Sequence, residues 1–198
     1  MILNKRLCMI IMSIVFFQCK KEKQLTVNAT QEIVEKESVK LDTLKLTKGY
    51  DFPVGKPDAK RYYNAQKFQE NNHLGDDWNG VGGGNTDLGD PIYAIANGYV
   101  SFAKDVKGGW GNIIRIIHHN PDATKVESLY AHCQKILVNK GDYVTKGTKI
   151  ATIGTADGAY LAHLHFEIRD QINLPIGPGY SSDIKGYLNP TKYINNNR

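Results

Sequence analysis

From Tyr50 onward the chain is cut by glycine into short runs of β-branched and aromatic residues, and no stretch sustains the 3.6-residue apolar period of a packed helix. Segments 92–95, 98–103, 112–118, 127–131, 143–144, 149–153 and 163–168 read as strands bounded by turn residues. Short helices are expected only over 60–70 and 190–194. Gly89-Asp90-Pro91-Ile92-Tyr93-Ala94 and Gly141-Asp142-Tyr143-Val144 echo one another. Each is followed by a second glycine turn and a strand, at Asn97-Gly98-Tyr99-Val100 and Lys146-Gly147-Thr148-Lys149-Ile150. Two similar hairpin units packed face to face would bury both apolar faces, so the expected fold is all-β, a compact antiparallel β-sandwich-like domain.

Not all of the chain belongs to that domain. Residues 1–18 open with Lys5 and Arg6, continue with an apolar run over 7–17, and stop at Cys19-Lys20-Lys21. The run is well short of the roughly 20 residues that span a membrane as a helix, and the order of segments is that of an export signal. Cys19, directly after the run, resembles the lipidated cysteine of a bacterial lipoprotein, although Phe16, Phe17 and Gln18 replace the small residues usual there. A membrane anchor through Cys19 and a location in the cell envelope are the corresponding expectations. Residues 19–49 are polar and charge-rich, a tether with at most a weak helix over 31–38, which leaves 50–198 as the folded domain.

Charge and cysteine usage exclude other classes. The formal charge of +5 includes the two cations of the signal, and the mild excess that remains lacks the concentrated basic footprint of a nucleic-acid binder. Of three cysteines, Cys8 leaves with the signal and Cys19 would carry the lipid. Cys133 then stands alone in an apolar strand, expected to be buried, with no disulfide partner.

The chemistry-bearing residues fall into three places. In His163-Leu164-His165-Phe166-Glu167 the two histidines alternate with core-type residues, so they share one face of a strand, about 6.6 Å apart along it. His73-Leu74-Gly75-Asp76-Asp77 offers a histidine and two carboxylates around a glycine, in what reads as a loop. Two imidazoles and one carboxylate would give zinc three ligands and leave one position open, the pattern of a catalytic site; a non-haem iron triad uses the same donor types. From the residues alone Asp76, Asp77 and Asp87 all compete for the carboxylate role. His132 ends the apolar run Leu129-Tyr130-Ala131.

Taken in order, His-x-Gly-x-Asp, Leu-Tyr-Ala-His and His-Leu-His-Phe-Glu closely resemble the lysostaphin-type (LytM-like) zinc endopeptidases, from His73 to Arg169. The resemblance implies one zinc per chain on His73, Asp77 and His165, with His132 and His163 flanking the reacting carbonyl as catalytic residues. It implies a peptidoglycan hydrolase whose substrates are stem peptides or cross-bridges, working as a monomer. A catalytically inactive wall-binding or hydrolase-activating protein on the same fold is the alternative. The connection 78–88, Trp-Asn-Gly-Val-Gly-Gly-Gly-Asn-Thr-Asp-Leu, is longer than usual and is expected either to line the groove, through Trp78, or to form a surface excursion.

Overall fold

The computed structural model describes residues 45–198; the expected export signal, Cys19 and all but the end of the expected tether lie outside the described residues. Ten strands form one antiparallel system: β1 (Tyr62–Gln66), β2 (Asp76–Gly80), β3 (Pro91–Tyr93), β4 (Gly98–Asp105), β5 (Asn112–His119), β6 (Lys125–Ile136), β7 (Tyr143–Val144), β8 (Lys149–Ile153), β9 (Leu164–Arg169) and β10 (Tyr187–Leu188). One helix, α1 (Pro190–Asn196), follows, with the Asn189 side chain accepting from Lys192 N at its start. Among the described residues no helix is long and apolar enough to cross a membrane.

The main path runs β1-β2-β9-β6-β5-β4-β7. The two echoing units are joined strand to strand, because β3 pairs with β8 and β4 with β7. Each short strand is therefore held by the longer strand of the other unit, and Leu137 N to Ile150 O and Val100 N to Asp142 O continue the lattice. The expected helix over 60–70 is instead the edge strand β1, whose alternating half-buried and exposed residues pair with β2.

Alternation sorts the long strands into two faces. Leu164, Phe166 and Ile168 of β9, Ile114 and Ile116 of β5 and Tyr130 of β6 enter the main core with Trp78, Ile92, Ile150 and Ile194. The opposite face carries Ile113, Leu129 and Ala131 together with Arg115, Glu127, His165, Glu167 and Arg169, all buried. Phe102, Val106, Trp110 and Ile176 pack against its apolar part. This second face holds the chemistry.

Candidate metal centre

Three elements bring the cluster together. β2 pairs with β9 so that Asp77 stands opposite His165, and His73, just before β2, is held in a bridge to Tyr180. Asp77 is thus a strand residue, not a loop residue as its glycine surroundings suggest. Gly75 has a different role from the turn that the sequence implies: a Cβ there would lie 2.5 Å from Phe166 O and 3.0 Å from His165 Cε1. Its lack of a side chain lets the approach to β2 run against β9.

The donor atoms form a small triangle. His73 Nε2 lies 3.0 Å from His165 Nδ1 and 3.3 Å from Asp77 Oδ1, and His165 Nδ1 lies 3.0 Å from the same oxygen. Neighbouring donors of a tetrahedral zinc with bonds of about 2.0–2.1 Å stand about 3.3 Å apart. The three atoms fit one ion without rearrangement. Burial would raise the Asp77 carboxyl, yet hydrogen bonds from His165 and His73 outweigh it and hold the group well below the usual carboxylate range. Burial would likewise lower His165, but the carboxylates of Asp77 and Glu167 raise it to about 9. The triangle is a place where positive charge is favoured, as a cation site requires.

The competing carboxylates are engaged elsewhere. Asp76 accepts from Phe68 N at 3.0 Å and from the Thr191 backbone and hydroxyl at 3.1 and 2.6 Å, tying β2 to the start of α1. Asp87 accepts from Gly80 N at 2.9 Å and closes the glycine-rich connection.

Two further imidazoles border the triangle, with ring centroids 4.7 Å apart. His132 sits where β6 leaves β9, its partner through Ala131, and takes up β8 from Cys133. Its φ of 59° is left-handed, a backbone state costly for a residue with a side chain. The twist turns the ring into the cleft, 5.7 Å from His165 and stacked on Trp110 at 6.3 Å. Gly154, opposite, accommodates it, because a Cβ there would collide with His132 O and Gln134 N. Burial first, then the neighbouring His165 and His163, lowers His132 to about 3, so the ring is neutral at ordinary pH. His163 Nδ1 lies 2.8 Å from Leu161 O, an acceptor only. Nδ1 therefore carries the proton in the neutral ring, and Nε2, 3.9 Å from Asp77 Oδ1, presents a lone pair toward the cluster.

The cleft of about 470 Å³ over the triangle is walled by Trp110, Tyr160, Tyr180 and Gln66. Tyr160 packs 5.0 Å from the His132 ring and Tyr180 5.1 Å from that of His73. Of these aromatics only Tyr160 stands near a motif, three residues before His163. Trp78, a groove residue in one of the two expectations for 78–88, is buried in β2 against Phe52, and no residue of 78–88 lines the cleft. Also unforeseen is Glu167, whose Oε1 stands 3.0 Å from His165 Nε2.

The description Peptidase family M23 matches residues 77–178, a little over half of the chain. The chain belongs to peptidase family M23. The match begins at Asp77, so His73 lies outside the matched residues and joins Asp77 and His165 through the geometry alone.

Lipoprotein NlpD of Yersinia enterocolitica is 47% identical over 81 residues, 41% of this chain and 78% of that protein. Murein hydrolase activator NlpD of Escherichia coli is 44% identical over 81 residues, again 41% of this chain but 20% of that protein. Peptidoglycan DD-endopeptidase ShyB of Vibrio cholerae is 32% identical over 108 residues, 50% of this chain and 24% of that protein. The two latter relatives are much longer than the segment matched.

Proposed function

We propose that this M23 domain is a zinc-dependent endopeptidase that hydrolyses peptide cross-links of bacterial peptidoglycan during wall remodelling. The convergence of His73 Nε2, Asp77 Oδ1 and His165 Nδ1 beside a cleft that holds two more imidazoles carries the proposal. A zinc ion held by these three atoms supplies Lewis acidity and a water acidified to near neutral pH. His163, with its Nε2 lone pair toward the cluster, is suited to take up a proton and return it to the leaving amine. His132, neutral and fixed against Trp110, is suited to hold the carbonyl oxygen of the scissile peptide as charge develops there. Among the described residues no lysine or arginine lines the cleft. A free C-terminal carboxylate would find no guanidinium or ammonium there to hold it, which favours an internal bond.

One relative's name favours a second reading, a hydrolase activator without turnover of its own. The complete donor set and both flanking histidines favour the enzyme. Purified domain should release soluble muropeptides from sacculi, stop when a chelator is added and resume with zinc. Intact sacculi in the presence of zinc-loaded protein would decide for the activator, and muropeptide masses name the bond cleaved.

The corresponding setting is the cell envelope, with the chain anchored by lipid on Cys19. Support comes from the signal-like residues 1–18 and from a relative named a lipoprotein. Labelled palmitate should enter the full chain and be lost in Cys19→Ala; label retained by the variant would exclude that residue as the anchor.

A further inference from the structure

The second face of the sheet holds two arginine–glutamate pairs that are buried alike, and only one of them reaches the metal centre. Arg115 Nε donates to Glu127 Oε1 at 2.7 Å across β5 and β6, and neither side chain touches the donor triangle. Arg169 Nε donates to Glu167 Oε2 at 2.7 Å along β9, while the other Glu167 oxygen meets His165 Nε2. With His165 Nδ1 turned to the cluster, Nε2 must carry the ring proton and donate it to Glu167.

Arg169 has donors left over, and they leave the strand. Nη1 donates to Pro175 O at 3.1 Å and Nη2 to Ile176 O at 2.7 Å. A few residues on, Pro178, Gly179 and Tyr180 form one wall of the cleft. That wall also holds the approach to β2, for Leu74 N donates to Gly179 O at 2.9 Å and Ser181 N to Asn72 O at 2.8 Å. A single guanidinium therefore stands between both imidazole ligands. It reaches His165 through Glu167, and His73 through the wall.

We propose that Glu167 and Arg169 are positioning residues that set the orientation of His165 and lock it to the wall carrying Tyr180 and His73. The assignment rests on the metal centre proposed above. A planar fork spreads its donors over three nitrogens and can serve a carboxylate on one side and two carbonyls on the other, whereas the three donors of an ammonium radiate from one nitrogen. Removing such an outer partner commonly weakens metal binding by about 10- to 100-fold. A pair with only a packing role would cost stability and leave the metal alone.

The Arg115–Glu127 pair is the internal control. Zinc affinity, measured by competition with a chromophoric chelator on folded, metal-stripped full domain, should fall at least about tenfold in Glu167→Gln and Arg169→Lys. Arg115→Lys should stay within about twofold of the parent while its Tm falls comparably. Equal zinc affinity in all four proteins overturns the proposal. Should either variant fail to fold, the parent itself decides: nitrogen chemical shifts of zinc-loaded protein must show His165 protonated at Nε2, and the opposite tautomer overturns the assignment. A parent that takes up no zinc at all would instead refute the metal centre.

Discussion

His165→Ala is expected to retain no zinc through dialysis, whereas His163→Ala should keep one zinc per chain and lose turnover by about 10²- to 10⁴-fold. The two residues are neighbours on one strand run, and the difference comes from what their ring nitrogens face. His165 Nδ1 is 3.0 Å from each of the other two donors, so its removal leaves only His73 and Asp77 and strands Glu167 without its imidazole partner. His163 is one step outside the triangle. Its Nδ1 is occupied by Leu161 O and its Nε2 is 3.9 Å from Asp77 Oδ1, within reach of a bound substrate rather than in the donor set. Metal content by elemental analysis and sacculus turnover should be read on the same preparations. Equal zinc loss in the two variants would sink the division of roles between them.

That the two histidines face the same way was legible because strand alternation is a two-residue rule: with Leu164 and Phe166 in the core, His163 and His165 had to share the other face, while their separate roles came only with the resemblance. Asp77 was nameable only through motif order, since nothing local separates it from Asp76. The difference lies in the partners, Thr191 for one and His165 for the other, both far along the chain. Glu167 and Arg169 escaped notice for a related reason. Charged residues alternating with apolar ones read as a solvent-facing strand face. Here that face is buried, and Pro175 and Ile176, from a stretch with no strand pattern, supply the carbonyls that satisfy Arg169. The edge strand β1 was misread as helix because five residues with one side half exposed carry too little periodicity to decide. The left-handed backbone of His132 had no signal in its residue type, although Gly154, across the strand pair, marks the close approach it needs.

The other histidine strand end, His118, should make the domain lose about 3 kcal/mol of stability between pH 6.5 and pH 4. His118 is wholly buried on the main-core face. Its Nδ1 is 2.9 Å from Asn97 O, which can only accept, so Nδ1 carries the proton and Nε2 must receive one from Ser128 Oγ at 2.8 Å. The Tyr130 hydroxyl, 3.1 Å from Ser128 Oγ, in turn accepts from Ile95 N at 3.1 Å. Every member of the chain is satisfied with the ring neutral, and a second ring proton would force the Ser128 hydroxyl to turn from donor to acceptor and the Tyr130 hydroxyl to give up its place in the chain. Burial, against the weaker pull of the Asn97 carbonyl, lowers the group to about 4. In the unfolded chain the same imidazole titrates near its ordinary value of about 6.5. Between these values the unfolded state binds the extra proton and the folded state does not, so stability falls as pH falls, by about 1.4 kcal/mol per unit, and levels off below pH 4. Above pH 6.5 both states are neutral and the contribution is complete. Other groups also change charge as the pH falls, so the test is a difference. Urea unfolding of metal-stripped protein from pH 7.5 to 4 should show His118→Gln less stable at neutral pH, with the gap to the parent closing by about 3 kcal/mol on acidification. Parallel curves would mean that the buried chain tolerates the charge, and that Ser128 and Tyr130 reorganise around it.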